Sequence, residues 1–407
     1  MGSDQMFLRE WFQRYYQARP PKAPERLDRR EFGFMFFDRD FVQRHLGFGE
    51  PGQMHSFLQG QVPSHAYYSS AYYQFPAAGT MEEKKWLGAD LVFDLDADHI
   101  RGAEELSYAD MLDRIKVELL RLIDDFLLGD LGFDAAHLKI VFSGGRGYHI
   151  HVHDARVAEL RSHERREIVD YIAGTDLNMD WVFPERTTAS KTFKGTGVVQ
   201  QSKVRSMPPA SSGGWRRRMR TGTAWLVEEM RSRDLSDLRG RLPALAGASD
   251  PIIEGMLKDL YTKSGTKEGA ELMLEGTSLS AFSDRRHVDL FLKLLEEEVK
   301  PRFTAEIDEP VTSDIKRLIR LPLSLHGKTG LRVTPMERDE LDSFDPLKDA
   351  VPDLYPDRPV EVFVRKPSVV ELKGRRFQLE GRCEVPTYAA VFMVGRRIAT
   401  LEVPEDS

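Results

Sequence analysis

In the stretch Gly88-Ala89-Asp90-Leu91-Val92-Phe93-Asp94-Leu95-Asp96-Ala97-Asp98-His99, aspartates recur at every second position save Val92. Side chains alternate faces along a strand. Leu91, Phe93 and Leu95 therefore point toward a core, and Asp90, Val92, Asp94, Asp96 and Asp98 share the opposite face. Carboxylates crowded on one face raise one another's pKa unless a cation lies between them. Hard oxygen donors of this kind suit magnesium or manganese rather than zinc. An Asp-x-Asp by itself fits a solvated edge strand equally well, so the remainder of the chain has to decide.

A second group is Ser143-Gly144-Gly145-Arg146-Gly147-Tyr148-His149, directly after the apolar run Leu138-Lys139-Ile140-Val141-Phe142. A glycine-rich loop ending a strand lets backbone N–H groups approach an anion, and Arg146 adds a forked phosphate donor. The chain continues as His149-Ile150-His151-Val152-His153, a period-2 strand with three histidines on one face. These three are the best available zinc set, but alternation produces a polar face by default. If His149 engages phosphate the set is broken, so no structural zinc is expected. Farther on, Gly327-Lys328-Thr329 suggests a phosphate loop, yet the position that must hold the first glycine of that motif is Pro322.

The elements that must position these residues are legible in outline. Phe7 to Tyr16 reads as an amphipathic helix, with Phe7, Trp11 and Tyr15 as its stripe, ending before the proline-rich segment 19–24. Arg29 to Phe37 reads as a strand with Arg30 and Glu31 at its start, and Phe41 to His45 can pair with it. The aromatic run Tyr67 to Tyr73 reads chiefly as core, with base stacking the lesser reading. Tyr108 to Leu128 is the clearest helix, with Ser107 as cap and Leu112, Ile115, Leu119, Ile123 and Phe126 as stripe. Arg161 to Ile172 is a further helix. Lys191, Lys194, Gly195 and Gly197 mark a change of character, and Ser211 to Arg220, four arginines around Trp215, reads as a loop. Such a run is a solvated face or, in a nucleic-acid enzyme, a backbone contact. Helical patterning returns over 224–231, 251–261 and 286–299. Thr312 to Ile319 reads as a short capped helix, and Val360 to Val403 as short strands without nameable chemistry.

Composition narrows the class. At 41% hydrophobic and 30% charged the chain is ordinary globular material, and 407 residues allow one large domain or two to three smaller ones. A net charge of −7 leaves nucleic-acid contacts to local basic clusters. Cys383 is the single cysteine, which excludes an internal disulfide and any multi-thiolate zinc site. No segment has signal-peptide or membrane-span character, so a cytoplasmic protein is expected. No internal repeat is evident.

Three blocks in order, Trp86 to His99, Ser143 to His149 and Arg317 to Gly330, closely resemble the catalytic (small) subunit of the archaeal and eukaryotic type of DNA primase. The resemblance runs from Arg30-Glu31-Phe32 to about Leu331. It implies that Asp94 and Asp96 are the metal-binding aspartates and Asp308 the third catalytic aspartate. It further implies that Ser143, Arg146 and His149 hold the incoming nucleotide's phosphates, that His326 contacts the triphosphate, and that Arg320 and Lys328 are neighbouring basic positions. Two Mg2+ or Mn2+ ions on three carboxylates can activate a primer 3′-hydroxyl and stabilise leaving pyrophosphate. The sequence departs from the family in lacking a cysteine-rich zinc knuckle between His99 and Leu138, and near Arg44 the spacing from Glu31 is one residue longer than the pattern.

The expected fold is α/β (α+β), a primase-type catalytic domain built from 1–185 and 290–407 around a helical insert, 186–289. The expected activity is primer synthesis from NTPs, with dNTPs a further substrate class, on single-stranded DNA, assisted by a large subunit in a heterodimer and without a membrane. The competing readings are a repair-type primase-polymerase extending existing ends and a catalytically inactive nucleic-acid-binding scaffold.

Overall fold

The computed structural model describes residues 1–97, 106–192 and 199–402, with the side chains of 188–192 and 199–202 excepted. Asp98, His99, Lys194, Gly195, Gly197, Val403 and the Lys191 side chain thus lie outside the described part. The chain forms two compact units, Met1–Val169 with Glu306–Ser407, and Asp170–Ala305. The second unit therefore begins before residue 186 and ends after residue 289.

The first unit opens with α1 (Ser3–Ala18), followed by β1 (Phe32–Phe36), β2 (Arg39–Leu46), α2 (Pro51–Gln61), β3 (His65–Ser69), β4 (Ala71–Tyr73), α3 (Met81–Lys84), β5 (Trp86–Ala89) and β6 (Leu91–Asp96). It continues with α4 (Tyr108–Arg121), β7 (Leu138–Phe142), β8 (Gly147–Val152) and the first part of α5 (Ser162–Ala173). Two four-stranded antiparallel sheets carry the site. One has the order Leu318–Arg320, β3, β1, β2; the other Thr334–Met336, β7, β8, β6. Phe32, Phe34, Phe93, Phe142, Tyr148 and Ile150, all fully buried, fill the interior that these aromatic and β-branched strands require. Ser107 Oγ accepts from Asp110 N at 3.2 Å to cap α4, whose Leu112, Ile115 and Leu119 are buried as the sequence pattern predicts.

Charged groups tie the first sheet to β6. Arg30 is 1% exposed and donates to Ser69 O (2.7 Å), Ser70 O (2.9 Å), the Tyr72 hydroxyl (2.9 Å) and Asp90 Oδ2 (2.7 Å). Glu31, fully buried, faces Lys84 at 2.7 Å and accepts two bonds from Arg44, each 3.1 Å. Arg44 is thereby a partner of Glu31 and holds β2 to β1.

Three local expectations change in this unit. On α1 the buried face is Leu8, Phe12, Tyr15 and Tyr16, while Phe7 and Trp11 are only half-buried. Both rows are apolar and share Tyr15, and the Tyr16 hydroxyl, which donates to Pro63 O, favours the observed face. The 312–319 segment is a short helix, Glu309–Ser313, followed by the strand Leu318–Arg320 on β3. The helix starts three residues before the expected Thr312 and has no side-chain cap, and the strand's pairing partner, about 250 residues away in sequence, carries no local signature. The 360–403 segment forms a long hairpin, Pro359–Leu372 with Arg375–Pro386, and then a helix, Thr387–Gly395. That helix buries every residue from Thr387 to Val394 and so has no amphipathic period to betray it.

The second unit, described by itself, is mostly helical, with a hairpin of Glu185–Thr192 and Val199–Arg205. The expected loop at 211–220 is instead the start of a helix, Gly214–Met230. Arginine and methionine are good helix formers, and Trp215, Arg218, Met219, Gly222 and Leu226 recur at helical spacing as its buried face. Of its four arginines only Arg217 is exposed, and Arg218 lies over the Trp215 ring.

Candidate active site

The antiparallel register of β6 on β8 pairs Val92 with His151, Asp94 with His149 and Asp96 with Gly147. Directly opposed residues share a face, so Asp94 and His149 meet, with His149 Nε2 3.3 Å from Asp94 Oδ1. Asp308, at the start of the helix Glu309–Ser313, donates its backbone N–H to Asp94 O at 2.9 Å. Burial together with the Asp96 and Asp308 charges pushes the Asp94 carboxyl up to about 7. Burial and nearby Arg320 push His149 down to about 3, so it faces Asp94 as a neutral imidazole. Carboxylates grouped so that one is held up to about 7 have the character of a cation's donor set, and all-oxygen donors fit a hard divalent ion.

The glycine loop adjoins this cluster. Ser143 Oγ accepts from Gly145 N and Gly147 N, each at 3.3 Å, so the hydroxyl shapes the loop. Gly144 takes φ 75°, the left-handed region open to glycine, and a Cβ there would lie 2.8 Å from His326 Cβ. The loop after Leu318–Arg320 returns to the same place. Thr329 Oγ1 donates to Gly144 O at 2.6 Å, and His326 Nδ1 lies 3.3 Å from that hydroxyl oxygen. Because Thr329 has given its only hydrogen to Gly144, His326 Nδ1 must carry the proton and donate. Burial and Arg320 hold His326 well below its ordinary pKa, so Nε2 carries a lone pair. The helix Thr387–Gly395 backs this loop closely: a Cβ on Gly395 would meet Lys328 C and O at 3.1 Å.

One cleft of about 1270 Å³ is lined by Asp94, Asp96, Ser143, Arg146, His149, Arg320, His326 and Lys328, eight of the nine expected site residues. Asp308 reaches it through its bond and charge on Asp94. Sequence reasoning missed His65, Arg317 and Arg396, which line the same cleft. His65 Nδ1 accepts from Arg320 Nη1 at 2.7 Å and from Gly327 N at 3.2 Å, and its ring lies edge-on to His326. No local pattern marks His65; only the pairing of Leu318–Arg320 with β3 brings it there. Arg396 lies over Tyr108, 3.9 Å to the ring centroid, and follows the helix that the pattern hid. Of the three alternating histidines, His149 lies against Asp94, and the ligand-spaced group among the described residues is Asp90, His151 and His153.

The family described as DNA primase small subunit matches residues 93–338. The DNA primase small subunit PriS of Methanocella arvoryzae is 41% identical over 97% of this chain and 98% of its own length. PriS of Methanosarcina barkeri is 41% identical over 97% and 95%, and PriS of Methanothrix thermoacetophila 40% identical over 97% and 98%.

Proposed function

The chain belongs to the DNA primase small-subunit family, and from that premise we infer that the cleft around Asp94 is where this nucleotidyltransferase makes primers for DNA replication. The carrying observation is the Asp94 carboxyl, raised to about 7 by burial and two neighbouring aspartates. Asp94, Asp96 and Asp308 would hold the divalent ions that the family implies, Mg2+ or Mn2+ by donor chemistry. When bound, such ions polarise the α-phosphate and lower the pKa of the primer 3′-hydroxyl. The protein's own part is to orient and neutralise. Arg146, Arg320 and Lys328 supply positive charge to the triphosphate, with Arg146 able to fork. Ser143 fixes the loop amides, and His149 stands beside Asp94 as a neutral imidazole. The deciding experiment is nucleotide incorporation on an unprimed single-stranded template with NTPs and with dNTPs. An inactive scaffold would incorporate neither, and a repair-type enzyme would extend ends without starting them. Among the described residues no helix is long and apolar enough to cross a membrane.

Arg146→Ala and His326→Ala should each weaken nucleotide binding by about 1–3 kcal/mol, since each removes a polar contact to phosphate. Lysine at position 146 should restore part of the loss. His326 adds a pH signature. With Nδ1 committed to Thr329, Nε2 can donate to a phosphate only after protonation, so binding takes up a proton and affinity falls as pH rises. Calorimetry in buffers of different ionisation enthalpy reads this uptake directly, and His326→Ala should abolish it. Normal affinity in both alanine variants would remove the triphosphate from this loop.

The relatives are named small subunits, which implies a large partner. Joining the first two nucleotides requires two triphosphates and a template to be held without a primer duplex, and the net charge of −7 gives little general attraction to DNA. Dinucleotide formation by this chain alone should therefore be slower than extension of a supplied primer by an order of magnitude or more. A large subunit should close the gap. Equal rates for the isolated chain would end the claim of partner dependence.

A further inference from the structure

The absence of multiple cysteines and the diversion of His149 to Asp94 remove the zinc sets visible in the sequence, but the fold assembles another. Asp90, His151 and His153 each place a ligand atom within 4.8 Å of the other two. His151 and His153 alternate along and just past β8, so they share a face, and their rings stack with centroids 6.0 Å apart. Asp90 lies between β5 and β6, with Oδ1 3.3 Å from His153 Nδ1. The telling group is His151. It is 1% exposed, and both of its ring nitrogens are buried with no hydrogen-bond partner. Burying an unpaired polar nitrogen costs about 1–3 kcal/mol, and neither the nucleotide cleft nor any backbone group uses these two atoms; His151 is absent from the cleft lining.

We propose that Asp90, His151 and His153 form a binding site for a single transition-metal ion, zinc by ligand type, which clips β8 to the start of β6. Two imidazoles and one carboxylate with an open position are a recurrent zinc donor set. Binding needs neutral imidazole and ionised carboxylate. Burial pushes His151 down to about 3. Burial opposes ionisation of Asp90, but His153 and Arg30 outweigh it and hold the carboxyl below the carboxylate range. The surrounding shell is also built. Arg30 occupies Oδ2 at 2.7 Å and the Tyr72 hydroxyl donates to Oδ1 at 2.6 Å, which orients the carboxylate and leaves Oδ1 a lone pair toward the histidines. His153, 30% exposed in its side chain, opens the fourth position to water.

The test is metal content and a spectroscopic probe on the full chain. Protein purified without added metal and dialysed against a mild chelator should retain about one zinc per chain by elemental analysis. Replacement by Co2+ should give the visible d–d bands of a nitrogen-containing site of low coordination number. His153→Ala, at the exposed ligand, should lose both signals while keeping a native circular dichroism spectrum. Tyr72→Phe should weaken Co2+ binding about tenfold or more, and Asp96→Asn, in the catalytic cluster, should leave zinc and Co2+ bands in place. No bound zinc after adding an equivalent of zinc chloride, or undiminished zinc in His153→Ala, overturns the proposal. Loss of the Co2+ bands in Asp96→Asn also overturns it, by assigning them to the catalytic carboxylates.

Discussion

Asp94→Asn, Asp96→Asn and Asp308→Asn should each lower nucleotide incorporation by about 10³-fold or more, because each deletes a donor from the set that holds the catalytic charge. The fold should survive, and in Asp94→Asn it should gain. The Asp94 carboxyl stands at about 7 in the native chain against an ordinary value of 3.8, because burial and its two aspartate neighbours disfavour the anion. Between those values the native state binds the extra proton. Stability from this group is therefore fully present below pH 4 and is lost as pH rises through 7. For the chelated protein at pH 8 the penalty is about 2–4 kcal/mol. Asp94→Asn never ionises, so in chelator its melting temperature should exceed wild type at pH 8 and match it near pH 4. Magnesium should raise the melting temperature of wild type at pH 8 and leave that of the variant nearly unchanged. Near-wild-type synthesis by a folded Asp96→Asn chain would refute the carboxylate assignment.

Gly147→Ala should be as damaging to activity as a lost charge, without touching any ionisable group. Gly147 pairs with Asp96 across the strands, and a Cβ there would lie 2.1 Å from Leu95 O and 3.0 Å from Asp96 Cα. These are backbone atoms of the strand that carries Asp94 and Asp96, so nothing flexible can yield. The strands must part, costing about 1–3 kcal/mol or more, and the carboxylates move with them. Expected are a melting temperature lowered by several degrees and a fall in incorporation of about 10²-fold. Gly132→Ala, at a glycine with no neighbour within 4 Å, separates this clash from the general cost of replacing glycine, although its φ of 64° adds local strain. Normal synthesis by Gly147→Ala would show that the two strands do not set the carboxylate geometry.

Much of the site was legible because it rests on short-range order. A period of two fixes which side chains of 90–96 share a face, whatever the strand pairs with. Ser143 to Gly147 declares a tight loop because glycine most readily takes Gly144's φ of 75° and has no Cβ to meet Leu95 O at Gly147. The chemistry of Asp94, Asp96, Arg146 and Lys328 is carried by residue type. What periodicity leaves open is who stands opposite. His149 lies against Asp94 because of a register that only pairing decides. His65 enters the cleft through a strand pairing about 250 residues long in sequence, and Asp90 gains Arg30 from 60 residues away. The helix Thr387–Gly395 was unreadable because a helix apolar on every side has no polar face to set its period. Residue type and local period determined which groups can do chemistry; the sheet registers and long-range ion pairs decided which of them meet, because cross-strand contacts carry no local signature.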